Sequence, residues 1–305
     1  MKTYIGGQAV IEGVMMRGKT MYAMAVRNPE GGLTIEKKKV TGLNIKYPIF
    51  KLPIFRGIAA FIDSLITGTK IMMRSAEIAG EDLGDEEPTK FEKFLIDKFG
   101  DKLNDIIIYV SVFFSVILAV AIFFVLPVFL GNFFKNFVGS WALGIVEGLI
   151  RIGIFLIYIY LISRMKEIQR VFQYHGAEHK TINCFEGGDE LTVENAMKYT
   201  RLHKRCGTSF LFLVMLISMV LLFFIRTDII LLRLIRRILI VPVIAGISYE
   251  ILKWAGASDS IFVKIVSYPG MCLQKITTAE PDESQLEAAI AAMKEVLKDE
   301  GSGEE

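Results

Sequence analysis

The chain is poor in cysteine and in histidine, and nearly without net charge. Its three cysteines, Cys184, Cys206 and Cys272, are an odd number with no disulfide framework, which favours a reducing compartment. Its three histidines, His175, His179 and His203, all lie in one short stretch. The 35 Lys and Arg residues against 33 Asp and Glu leave +2, so a dominant nucleic-acid role has no support and none is expected. Residues Met1 to Gly18 lack a basic start, an apolar core and a cleavage site, so no cleavable signal peptide is expected. The glycine-rich opening, Gly6 to Gly18, lacks the Lys-Ser/Thr ending of a Walker phosphate loop and reads as glycine turns in a small β domain. No internal repeat is visible.

What the chain has in abundance is apolar surface. Of its 305 residues 52% are hydrophobic, too many for an ordinary soluble domain and typical of an integral membrane protein. Four stretches read as spans: Ile106 to Leu130, Ala142 to Ser163, Gly207 to Ile225, and Ile238 to about Trp254. The first carries no charge and exceeds the ~30 Å hydrocarbon core. Ile229 to Ile235, broken by Arg233 and followed by Arg236-Arg237, reads as a re-entrant or interfacial piece. The stretch between spans two and three carries Arg164, Lys166, Arg170, Lys180, Lys198, Arg201, Lys204 and Arg205. By the positive-inside rule it is cytoplasmic, and so are both termini, although Arg226, Arg233, Arg236 and Arg237 argue the other way.

The remaining segments predict a cytoplasmic head. Residues 1–52 are strand-rich, with a hairpin of Tyr22 to Arg27 and Leu33 to Lys37 around Asn28-Pro29-Glu30-Gly31-Gly32. Residues 53–105 hold an amphipathic helix, Ile54 to Met73, an acidic linker, Gly80 to Glu87, and a second amphipathic segment, Lys90 to Asp105. Residues 106–163 hold spans one and two, 164–206 the His/Cys stretch, 207–254 spans three and four. Residues 255–305 form a soluble tail. In it Asp282 and Gln285 suggest a capping box, ahead of a helix with Leu286, Ala289, Ile290, Met293 and Leu297 on one face. The expected fold is an α-helical bundle of about four transmembrane helices with a small α+β head.

The chemistry concentrates in the His/Cys stretch. His175 and His179 stand four residues apart, about one helical turn, so two imidazoles point to one side; His203 and Cys206 stand three apart. Imidazole and thiolate are ligand types that zinc prefers, and the four make a full set. His175-Gly176-Ala177-Glu178-His179 also matches the inverted zinc-peptidase pattern, with Glu178 in the general-base position. Either Cys206 or His203 could stand outside the metal and leave room for water; Cys184 is a weaker ligand. Arg205 and Lys180 are candidates to steady an anion. Glu147 and Arg151, four apart within the second span, read as a local ion pair facing the bundle or as a polar path.

Three groups of residues carry a resemblance. Gly6-Gly7-Gln8-Ala9-Val10-Ile11-Glu12-Gly13-Val14-Met15-Met16-Arg17 opens the chain. Tyr174-His175-Gly176-Ala177-Glu178-His179-Lys180 and Arg205-Cys206-Gly207-Thr208-Ser209-Phe210 lie centrally. Lys275-Ile276-Thr277-Thr278 and Glu280-Pro281-Asp282 close it. Together they resemble the YqhQ-like bacterial membrane family, a domain of unknown function often labelled a predicted metal-dependent enzyme. Lys204 stands where many members carry a proline, which leaves the ligand residues untouched.

Three functions are expected in turn. The first is a zinc-dependent membrane enzyme of hydrolase type with Glu178 as base. The second is a membrane scaffold or partner-binding protein stapled by a structural metal. The third is a transporter using Glu147 and Arg151. The expected location is the cytoplasmic (inner) membrane, multi-pass. The bilayer is the expected partner, with a protein partner possible at the head.

Overall fold

The computed structural model describes residues 5–80, 103–224, 230–257 and 260–301. The chain forms two compact units, one from Met1–Glu81, Ile157–Ser218 and Ile240–Glu305, the other from Asp82–Leu156 and Met219–Leu239.

The first unit is built on an antiparallel sheet in the order β1-β2-β3-β4: β1 (Gly6–Val10), β2 (Gly13–Arg17), β3 (Met21–Arg27) and β4 (Leu33–Lys39). The hairpin expected around Asn28 to Gly32 is β3 and β4, closing at Arg27↔Leu33. The glycine-rich opening is a second hairpin rather than a set of turns, closing at Val10↔Gly13 with Glu12 at a positive φ of 51°. Its strand character is hard to read because the central strands are covered on both faces, which removes the polar half of the alternation. Ala9, Val14, Met16, Ala23 and Ala25 pack toward one core, and Val10, Met15, Met24 and Val26 toward another.

Helices cover each face. α1 (Phe55–Ala79) supplies Ile71 to the second core and ends on Gly80, whose left-handed φ of 71° lets its N–H reach Ala76 O and Glu77 O. In the other unit, α2 (Leu103–Val120) runs through a π-helical stretch, Ala121–Val125, into α3 (Leu126–Asn132). It is followed by α4 (Ser140–Ile162). α5 (Lys166–Gly187), the short α6 (Val193–Met197) and α7 (Gly207–Phe224) carry the His/Cys stretch. α8 (Ile230–Ala257) is one helix with Pro242 inside it, so the apolar piece before Arg236 is part of that helix rather than a separate re-entrant segment. α9 (Ile261–Thr277) was not expected: Pro269 lies inside it, and its start is marked only by Ser260, which accepts the Val263 N–H at 3.3 Å.

α10 (Glu283–Gly301) closes the first core. Asp282 Oδ1 accepts the Gln285 N–H at 2.8 Å, and Gln285 Oε1 accepts the Asp282 N–H at 2.9 Å, the reciprocal pair of a capping box. Leu286, Ala289, Ile290 and Met293 are buried in the same core as β2 and β3. Arg27 clasps Glu287, and Lys37 reaches Glu295 at 3.2 Å and Asp299 at 3.4 Å, so the last helix is tied to the first hairpins.

The chain is thus mostly helical with an N-terminal four-stranded antiparallel sheet. Among the described residues two helices, Phe113–Asn132 and Ala142–Ile162, are long and apolar enough to cross a membrane, and Phe210–Leu221 is a shorter apolar helix. This supports membrane association and falls short of the four expected spans. Of the acidic linker, Gly80 to Glu87, all but Gly80 lies outside the described residues, as does most of the segment from Lys90.

Candidate metal centre

α5 places His175, Glu178 and His179 on neighbouring turns, as spacings of three and four residues dictate. Gly176 inside the motif is not a weak point of the helix but a crossing point. A Cβ there would stand 2.0 Å from Ala279 O, so the segment after α9 passes directly over the bare α-carbon. The Ala279 N–H donates to Phe172 O at 2.8 Å and locks the crossing. The same segment brings Thr277 O to 2.8 Å from His175 Nδ1. The loop from α5 to α7 brings Arg201 O to 2.6 Å from His179 Nδ1 and delivers Cys206 just before α7.

These two carbonyls decide the chemistry of the rings. A carbonyl oxygen only accepts, so each neutral imidazole must carry its proton on Nδ1 and leave the Nε2 lone pair free. His175 Nε2 lies 3.2 Å from Cys206 Sγ, the ring centroids of His175 and His179 are 4.4 Å apart, and the three donor atoms lie within 4.8 Å of one another. Tetrahedral zinc with its usual bond lengths would set nitrogen and sulfur about 3.5 Å apart, close to what is seen. Two imidazoles and a thiol therefore fit a borderline-soft divalent cation by donor type, by tautomer and by spacing. Burial keeps the His179 pKa below its ordinary value, although Cys206 opposes the shift, and the neutral ring is the form that ligates.

His203 is the member of the expected set that this group leaves out. Its ring packs against His179 at 5.7 Å between centroids, and its Nε2 lies 3.5 Å from Glu186. Its backbone is held by Gln274, which accepts the His203 N–H at 2.8 Å and donates to His203 O at 2.7 Å. Cys184 is buried elsewhere, its thiol directed to Glu190 O at 3.6 Å.

Glu178 is buried against β1, where the Gly7 N–H donates to its carboxylate. A Cβ on Gly7 would meet Glu178 Cγ at 2.7 Å, so glycine is what permits the approach. Burial raises the carboxyl pKa to about 7, against the opposing effects of His175 and the Gly7 amide. Glu178 and the three donors line a cavity of about 340 Å³ together with His203 and Arg205. Arg205 is paired with Glu186 at this wall. Lys180 is not a wall residue: its Nζ donates to Met197 O at 3.0 Å and meets Glu280 at 3.0 Å, which makes it a strut for the crossing segment. Sequence reasoning missed Gly7, Arg201 and Thr277, the last two of which reach the histidine rings through backbone carbonyls. Gly7 and Thr277 do stand in the opening and closing motifs, which was the available signal.

In the other unit Arg151 stays within electrostatic reach of Glu147, and each of the two also meets a further partner. Glu147 is ion-paired with Arg237 of α8, both buried. Arg151 Nε donates to Phe123 O at 2.9 Å, and its guanidinium lies 5.1 Å from the Phe124 ring centroid.

The model of a family described as "Protein of unknown function (DUF1385)" matches residues 52–299. The chain is similar to the "Uncharacterized protein YqhQ" of Bacillus subtilis (strain 168), with 37% identity over 309 residues, covering 98% of this chain and 94% of the other. No solved structure matches significantly.

Proposed function

From the premise that this chain belongs to the DUF1385 family of proteins of unknown function, we propose that its His/Cys stretch is a catalytic zinc centre of hydrolase type in a multi-pass membrane protein. The carrying observation is the convergence of two Nε2 lone pairs on a thiol, with both Nδ1 protons committed to backbone carbonyls. His175, His179 and Cys206 would hold the cation, and three protein donors leave one position open, the hallmark of catalytic rather than structural sites. When bound, such a cation supplies Lewis acidity toward water or a substrate oxygen.

The chain's own residues do the rest. The Glu178 carboxyl, tuned near neutrality and held by the Gly7 N–H, takes and returns a proton at its Oε atoms. His203 and Glu186 close the wall behind His179 and limit water. Arg205 stands at the cavity to steady an anion. We further propose about four spans, with the sheet unit and both termini on the cytoplasmic side. The two long apolar helices and the basic residues from Arg164 to Arg205 support that orientation.

The second reading, a structural metal that staples a scaffold, is favoured by the burial of His179 and Cys206. Elemental analysis of the detergent-purified protein separates the two. The wild type is expected to hold about one zinc per chain, and Cys206→Ala to lose most of it. Glu178→Gln should keep the metal and fail to restore the phenotype of a deletion strain. A wild type without stoichiometric metal ends both readings, and a metal-replete Glu178→Gln with full complementation leaves only the staple.

A further inference from the structure

A second cavity lies on the opposite side of the sheet from α10. It measures about 810 Å³ and is bounded by β3, β4, α1 and the chain that joins β4 to α1. Its lining is rich in cations and its two carboxylates are already engaged. Glu36 accepts from Arg74 Nε at 2.9 Å and lies 3.9 Å from Lys38, while Asp63 accepts the Leu43 N–H at 3.0 Å. That leaves Arg17, Lys39, Lys46 and Lys70 on the walls with no carboxylate partner among the described residues. Four such charges around one concavity attract an anion strongly.

The cavity is continuous with an apolar shelf. Ile45 and Ile66 belong to its lining, and beside them stand Ile49, Leu52, Phe55 and Leu65, all six between 44 and 63% exposed. Exposed apolar side chains gathered on these adjoining segments are costly in water and mark a binding surface. Cations gathered around a hollow next to exposed aliphatic and aromatic side chains form the pattern of an element lying in the headgroup region of a bilayer. A free phosphate would use the cations and leave the shelf bare; an apolar peptide would use the shelf and leave the cations bare.

We propose that this cavity binds the headgroup of an anionic phospholipid, with the acyl chains running along the shelf. The phosphate is held among Arg17, Lys39 and Lys70, and the helical turn Leu43–Lys46 with the start of α1 sits at the interface. The site is distinct from the metal centre and does not depend on it.

The test is native mass spectrometry of the full-length protein in neutral detergent, titrated with phosphatidylglycerol, with phosphatidylcholine and with inorganic phosphate. Each lysine near an anionic lipid contributes about five-fold in binding. Lys39→Gln/Lys70→Gln should therefore weaken phosphatidylglycerol binding roughly twenty-fold, while phosphatidylcholine binds weakly to both proteins. Lys166→Gln/Lys294→Gln removes two exposed charges outside the cavity and should bind like the wild type. Equal binding of the two lipids, an unaffected Lys39→Gln/Lys70→Gln variant, or full displacement by millimolar phosphate each overturns the proposal. A protein that forms dimers through the shelf and excludes lipid from it does so as well.

Discussion

Replacing Gly176 with alanine sets two effects against each other. In an ordinary helix interior the change stabilises by about 1 kcal/mol, because alanine is the better helix former. In α5 the new methyl carbon arrives 2.0 Å from Ala279 O, and the obstacle is backbone that cannot rotate away. Overpacking of this severity costs about 3 kcal/mol, so the clash prevails by about 2 kcal/mol. For a unit of this size that corresponds to a fall of roughly 4–8 °C in apparent Tm. The displacement also moves Thr277 O, which orients His175 through Nδ1. Loss of such an outer partner lowers metal affinity about ten-fold or more. The assay is thermal unfolding of the detergent-purified full-length protein by intrinsic fluorescence, with a zinc titration alongside. A Gly176→Ala protein that melts at or above the wild-type temperature and binds zinc equally well would refute the assignment of Gly176 as a crossing point.

Three further outcomes are expected. Because burial raises the Glu178 pKa from 4.5 to about 7, the native metal-free protein holds a proton there that the unfolded chain has released. This contribution to stability is complete below pH 4.5 and disappears as pH rises through 7. Glu178→Gln should therefore flatten the Tm profile between pH 5 and 8 relative to wild type; His179, whose lowered pKa acts in the opposite sense below 6.5, is common to both proteins. Parallel profiles would count against the buried carboxyl. Glu147→Gln should cost about 3–5 kcal/mol by stranding Arg237, and Glu147→Gln/Arg237→Met should recover most of it; a double variant no more stable than Glu147→Gln would contradict the pairing. Asp282→Ala removes the cap of α10 and should cost about 1 kcal/mol, read as faster amide exchange in its first turn; unchanged exchange there would disprove the capping role.

Local signals in the sequence carried far. The turn residues Asn28 to Gly32 mark the β3–β4 hairpin, and Asp282 with Gln285 marks the start of α10, because turns and caps are decided by neighbours a few residues away. The pairing of His175 with His179 was legible for the same reason, since a four-residue spacing on a helix fixes a face, whereas His203 and Cys206 lie in the loop before α7. What was hidden depends on distant chain. The strands β1 and β2 lose their alternation because two layers cover them. α9 carries Pro269 inside it, and its buried Leu273 and Gln274 are held by distant chain. His203, outside the donor group, is held by two hydrogen bonds between its backbone and the side chain of Gln274, seventy-one positions on. Arg237 was read as a topological charge, whereas burial beside Glu147 makes it an ion-pair partner.

The dependence of the first core on α10 has a consequence for biogenesis. On the ribosome the two hairpins are finished early, yet the layer that shields one of their faces is encoded at the far end of the message. At ordinary synthesis rates the interval lasts roughly 10–50 s, during which the nascent sheet needs shelter from aggregation. The loop carbonyl of Thr277 likewise emerges late, so His175 gains its orienting contact only after the apolar helices have been made. The donor group of the proposed centre is thereby completed only when translation is nearly finished, and a chain truncated before Thr277 would leave His175 without its orienting carbonyl.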